Sequence, residues 1–135
     1  MPSPQALFDI QPQLATPIYR QVVEQVQRLV AGGQLRPGDE LPSVRAVAER
    51  HAINPMTVSK AYSLLEAEGL LERRRGVGMV VAARVQPAKA DEDRLALLAP
   101  AVQALAQQAR QLGIPPAQAI AALEQALQST EQDRP

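Results

Sequence analysis

Between Asn54 and Ser63 the chain reads NPMTVSKAYS. Val58, Ala61, Tyr62 and Leu65 fall at i, i+3, i+4 and i+7, the spacing of one apolar helix face. The opposite face begins Met56, Thr57, Ser59, Lys60, Ser63. It offers small polar groups and one cation near the helix start. Hydroxyls and amides on a slim helix can reach base edges in the major groove of duplex DNA. Thr57 suits a phosphate or a thymine methyl. Lys60 suits a phosphate, because a flexible point charge reads bases poorly. Ser59 is either a contact or simply small. Met56 either touches a base or covers the helix edge. Asn54 has two competing jobs, base contact and helix cap, because its side-chain oxygen can accept from the first turn's N–H groups.

Catalytic chemistry finds no comparable support. The chain has one histidine and no cysteine. It has no Gly-Lys-Ser/Thr run to cradle a phosphate and no clustered metal ligands. The sequence therefore reads as a non-enzyme, with no catalytic residues, no metal site and no cofactor. His51 sits late in the helix before the turn and reads as structural.

The elements that must hold this face follow from caps and breakers. Pro55 takes the first helical position, where its missing N–H costs nothing, and Gly69 suits the left-handed position after the end. Ser43 caps a preceding helix running to about Arg50, with Val44, Val47 and Ala48 at helical spacing. Ala46 stands where Glu or Gln would complete a capping box. The backbone N–H at Ser43 could meet a phosphate. Upstream, Thr16 as cap and Pro17 open a helix whose stripe is Ile18, Val22, Val26, Leu29 and Val30, ended by Gly32-Gly33. Pro37-Gly38 is turn chemistry, and Leu41 before Pro42 reads as extended.

Leu70 to Arg75 and Met79 to Ala83 read as two strands around Gly76-Val77-Gly78, a hairpin signal. Strand alternation sends Arg73, Arg74 and Arg75 to opposite faces, so not all three can touch one surface. Gly76 would let the hairpin backbone approach a groove closely. Helix, helix, helix, hairpin is the order of a winged helix-turn-helix.

Residues 1–16, with Pro2, Pro4 and Pro12, read as an extended arm that Leu7, Phe8 and Ile10 could dock. Residues 17–85 form the winged helix-turn-helix, and Gln86 to Ala90 a linker. Residues 91–130 read as a helical dimerisation domain. There Asp91-Glu92-Asp93 places negative charge where a helix macrodipole favours it. Leu95, Leu98, Val102, Leu105, Ala109 and Leu112 step by threes and fours, an a/d seam. Pro100 inside it should kink or split the helix, and the continued phase favours a kink. After Gly113, Pro115-Pro116 starts a last helix with Ile120, Leu123 and Leu127 as its stripe. The seam is a dimer interface or an intramolecular cover. Two helices are too little material for a closed core, which favours the dimer and argues against a large effector pocket. The fold class is mostly α with a small β-hairpin: an N-terminal winged helix-turn-helix plus a short two-helix C-terminal dimerisation tail.

The 135 residues carry no formal net charge, but not evenly. Residues 1–90 hold 11 Lys+Arg against 8 Asp+Glu, and residues 91–135 hold 3 against 6, so +3 faces −3. A basic half beside an acidic one fits nucleic-acid contact at one end. No basic-then-apolar leader pattern is visible, and no apolar run approaches the roughly 18 residues that cross a bilayer. The expectation is a soluble cytoplasmic protein with no membrane partner.

The stretch from Leu35 to Val81 resembles the DNA-binding domain of the GntR family of bacterial transcription regulators. The resemblance rests on Pro37-Gly38, Leu41-Pro42-Ser43, Arg45, Asn54-Pro55-Met56-Thr57-Val58, Lys60-Ala61-Tyr62, Leu65-Glu66, Gly69-Leu70 and Arg75-Gly76-Val77-Gly78. Ile18 to Val22 also fits the family's first helix. The short helical tail is similar to the YtrA branch. One departure is Pro115, where that pattern would place a capping Ser or Thr. The resemblance implies that Arg45 contacts phosphate or guanine and that Arg75 is a wing contact. It implies a homodimer on an inverted repeat of double-stranded DNA, acting as a repressor, often at transporter genes. It leaves any small-molecule effector unknown. The alternative is a winged-helix protein-interaction module without DNA binding, since one fold serves both uses.

Overall fold

The computed structural model describes residues 7–85 and 91–132, with side chains at 91–93 and 130–132 left aside. The expectations for Pro2, Pro4, the Gln86–Ala90 linker and the acidic Asp91–Asp93 cap lie outside what is described. The elements are α1 (Ile18–Ala31), α2 (Val44–His51), α3 (Pro55–Ala67), β1 (Leu71–Arg74), β2 (Gly78–Val81), α4 (Asp91–Leu112) and α5 (Pro116–Gln132). They divide into two compact units, Met1–Arg94 and Leu95–Pro135.

In the first unit, α3 packs on α1, α2 and β1. Its Val58, Ala61, Tyr62 and Leu65 are all buried. They meet Val22, Val26 and Val30 of α1 and Val47 and Ala48 of α2 in one apolar cluster. With so few aromatics, aliphatic side chains supply nearly all of this core, and Phe8 of the arm and Tyr62 complete it.

Beyond the β1–β2 hairpin, the sheet gains a third strip. β1 pairs antiparallel with β2, Leu71 opposite Val81 and Arg74 opposite Gly78. On the other edge of β2, Gly38 N–H donates to Val81 O, Val81 N–H to Asp39 O and Leu41 N–H to Met79 O, each at 2.9 Å. Thus the extended Leu41 segment flanks β2, which becomes the middle strand, with Met79, Val80 and Val81 buried. This strip fastens the entrance of α2 to the hairpin.

Several sequence expectations need correction. Thr16 does not cap α1: the residue before the helix is Pro17, with no side-chain cap. Thr16 instead offers its backbone oxygen to Gln21 Nε2 at 2.9 Å. Both strands are shorter than their apolar runs, so Leu70, Arg75, Ala82 and Ala83 lie outside them. Tyr19 falls on the apolar face of its helix and reads as core, but it is half-buried at the core's edge. By contrast, α4 runs unbroken through Pro100, the unsplit helix that the continued phase favours.

The arm is held by a device that periodicity does not reveal. Gln21 Nε2 donates to Gln11 O while Gln11 N–H donates to Gln21 Oε1, both at 2.9 Å. Gln25 does the same for Asp9, at 2.7 and 2.9 Å. Two glutamines one helical turn apart thus satisfy the arm's backbone as a neighbouring strand would. They set Phe8, 5% exposed, into the core.

In the second unit the described side chains of α4 and α5 are exposed, apart from half-buried Ala106, Ala109 and Ala119. Gly113 takes a left-handed conformation (φ 70°), and Ile114 N–H returns to Ala109 O at 2.9 Å, closing α4. α5 starts without a side-chain cap, as Pro115 implies, and the Pro115 carbonyl accepts from Gln118 and Ala119. α4 and α5 are not among the elements that pack closely together. The intramolecular cover for the α4 seam is therefore not provided by α5.

Candidate nucleic-acid interface

The turn between α2 and α3 sets this surface. α2 ends at Ala52, held at φ 53° and ψ 48°, a left-handed conformation that costs an L-residue roughly 1–2 kcal/mol. Ile53 N–H closes the turn on Ala48 O at 3.0 Å. Asn54 then caps α3, its Oδ1 accepting from Met56 N–H at 2.9 Å, and Pro55 takes the first turn. Ser43 caps α2 in the same way, with Oγ 3.0 Å from Ala46 N. The buried Tyr62 hydroxyl donates to Pro42 O at 2.7 Å. That bond locks the start of α2 to the middle of α3, and burial pushes the Tyr62 hydroxyl's pKa well up.

These constraints leave a cleft of about 600 Å³ between the start of α2, the flank of α3 and the hairpin. Ser43, Arg45, Ser59, Arg73, Val77 and Gly78 are among its lining residues. The cleft thus unites Ser43, Arg45 and Ser59 with a cation that sequence reasoning had not selected, Arg73. The signal was present: Leu71 faces the core, and two residues on, Arg73 continues the same strand face. On the other face Arg74 pairs with Glu72 at 3.3 Å. Arg75 and Gly76 sit at the wing tip, outside the cleft lining. Gly76 has φ 79° and Val77 N–H closes on Arg74 O at 3.0 Å, so the turn itself demands this residue.

Met56, Ser59 and Lys60 are exposed on α3, Thr57 is half-buried and Asn54 is exposed. Lys60 is directed back toward α1, its Nζ 4.0 Å from the Tyr19 ring centroid. Arg20 lies 6.0 Å from the same ring. A cation over a partly exposed ring gains about 0.5–1 kcal/mol, so the aromatic face holds the ammonium while its donors remain free to bind. Arg45 Nε meets Glu49 Oε1 at 3.1 Å, with side chains 88% and 68% exposed. An exposed i,i+4 pair contributes only about 0.3–0.5 kcal/mol, and the cation-first order is the weaker one. Arg45 can therefore leave Glu49 for a phosphate at little cost.

Leu95, Leu98, Val102, Leu105 and Leu112 on α4 and Ile120, Leu123 and Leu127 on α5 all lie exposed. Leu97 and Ile114 add to that apolar surface. Among the described residues no group of acidic, histidine or cysteine side chains could hold a metal ion. None of the described helices is long and apolar enough to cross a membrane.

Residues 18–81 match the family described as bacterial regulatory proteins, gntR family. The uncharacterized HTH-type transcriptional regulator YhcF of Bacillus subtilis is 38% identical over 88 residues, covering 65% of this chain and 73% of that protein. The chain belongs to the GntR family. Within it, the HTH-type transcriptional repressor YtrA of Bacillus subtilis is 47% identical over 75 residues, 56% of this chain. The match spans 58% of that repressor's own length. The structure of YtrA from Sulfolobus acidocaldarius, a GntR-family transcription factor, superposes with a TM-score of 0.54 at 28% identity, covering 92% of this chain and 99% of that one. This GntR chain is thus YtrA-like, its relatives are transcription regulators rather than enzymes, and its cleft is that of a winged helix-turn-helix.

Proposed function

We propose that this YtrA-like chain is a dimeric, sequence-specific DNA-binding repressor that covers an inverted-repeat operator in the cytoplasm. Residues 17–85 bind DNA and residues 91–130 join two copies. The observation that carries the reading is the cleft, where Arg45 and Arg73 stand on walls beside the exposed polar edge of α3. α3 enters the major groove, Lys60 and Arg45 take flanking phosphates, and the wing with Arg75 and Gly76 follows the backbone. The exposed α4 seam supports pairing with a second copy, because α5 leaves it open. A two-fold axis between two such heads makes the operator an inverted repeat.

Fluorescence anisotropy against a duplex obtained by in vitro selection tests this. With Arg45, Lys60 and Arg73 on each protomer, the dimer neutralises about six phosphates, so log affinity should fall with log salt at a slope near −5. A scrambled duplex should bind at least a hundredfold more weakly. Equal affinity for both duplexes, or a flat salt response, would sink the reading.

A further inference from the structure

We propose that Met56 is a specificity-determining residue that reads the C5-methyl group of a thymine in the major groove of each half-site. The proposal rests on the DNA-binding reading above and names the base chemistry of that site.

The two-point contact by which an Asn reads adenine needs both its acceptor and its donor, and the Asn54 acceptor is already taken by Met56 N–H at 2.9 Å. Lys60 is drawn off to one side, 4.0 Å from the Tyr19 ring. The Thr57 side chain is half-buried. Ser59 belongs to the cleft beside Arg73, and a lone hydroxyl accepts or donates without telling bases apart. No arginine stands on α3. The arginines of the cleft sit around the helix, on α2 and β1, where they suit phosphates.

What projects at the leading end of α3 is Met56. At 74% it is the most exposed large apolar side chain described. It lies in the first turn, the part of a reading helix that meets base edges. Across the major-groove edges of the four base pairs, the thymine C5-methyl is the apolar feature. An unbranched, polarisable thioether can settle onto that methyl without demanding one rotamer. Contact removes apolar surface from water on both partners, while a cytosine at that position offers only a polar edge.

Deoxyuridine tests this directly, because it keeps every hydrogen-bonding group of thymine and lacks only the methyl. Thymines of one half-site in the selected duplex are replaced one at a time and binding is measured by anisotropy. The wild-type chain should lose about threefold to fivefold in affinity at one thymine. Met56→Ala should bind the all-thymine duplex more weakly by a similar factor and show no further loss at that position. Met56→Leu should keep the response. If no thymine responds in the wild type, or if Met56→Ala keeps the same uridine penalty, the assignment is overturned while DNA binding stands. If selection yields no preferred duplex, the underlying reading fails instead.

Discussion

The head and the tail of this chain use the same aliphatic residues to opposite ends. In the head, Val22, Val26, Val58, Leu65, Leu71 and Val81 are sealed from water at 2% exposure or less. In the tail, Leu95, Leu98, Val102 and Leu105 recur at equally regular spacing, yet each is more than 40% exposed. Periodicity therefore reports that a helix has an apolar face, not what covers it. In the head, three helices and a hairpin enclose a core within one chain. α4 and α5, which are not closely packed on each other, leave the tail's apolar face open to solvent.

The sharpest way to break this contrast is to charge the seam. Leu98→Glu with Leu105→Glu should abolish the dimer at micromolar concentration, read by sedimentation, while the head's thermal unfolding stays within a degree or two. Operator affinity should then fall by at least a hundredfold, since two heads no longer bind as one unit. A dimer that survives both charges would move the interface elsewhere. Next in size is the converse change. Leu65→Ala removes a fully buried side chain from the centre of α3 and should destabilise the head by about 2–5 kcal/mol in urea titration. The same substitution at Leu112, 73% exposed, should leave the head's unfolding midpoint unmoved.

How far these regions were legible in sequence follows the range of the interactions. The apolar face of α3 and the caps at Ser43 and Asn54 depend on neighbours within seven positions, and all were readable. The Gln21 and Gln25 clamp on the arm spans 10 and 16 residues, and no local rule announces it. Nor does one announce Lys60 over Tyr19, which joins α3 to α1 across the fold. Arg73 was a matter of register: alternation from Leu71 points it into the cleft, but only once Leu71 is known to face the core. Thr16 shows the reverse error, a local cap signal at a helix that instead begins after Pro17 without a side-chain cap.

Ala52 is the exception among the helix ends. α1, α3 and α4 each close on a glycine with positive φ, and α2 closes on alanine at φ 53°. Ala52→Gly should relieve that conformation and raise stability by about 0.5–1 kcal/mol, because the added chain entropy of glycine offsets part of the gain. Differential scanning calorimetry would show a Tm higher by several degrees. An unchanged or lowered Tm would mean that the turn's strain is absorbed elsewhere.

The smallest expected effect concerns His51, one residue before that turn. Its Nε2 is buried with no hydrogen-bond partner among the described residues. Burial first, and then the neighbouring Arg50, lowers its pKa below the ordinary 6.5, with Asp9 of the arm opposing. The folded head thus binds this proton less readily than the unfolded chain does. Where the unfolded state holds more protons, stability rises with pH. This contribution is therefore intact above about pH 6.5 and is lost as pH falls from there toward the lowered folded value. His51→Gln should flatten the decline of the head's Tm between pH 7 and pH 5 while leaving the pH 8 value nearly unchanged. α4 and α5, by contrast, carry no histidine. Dimer dissociation measured over the same pH range should not share the His51 inflection. If it does, and the inflection disappears in His51→Gln, then the head and the seam are energetically coupled rather than independent.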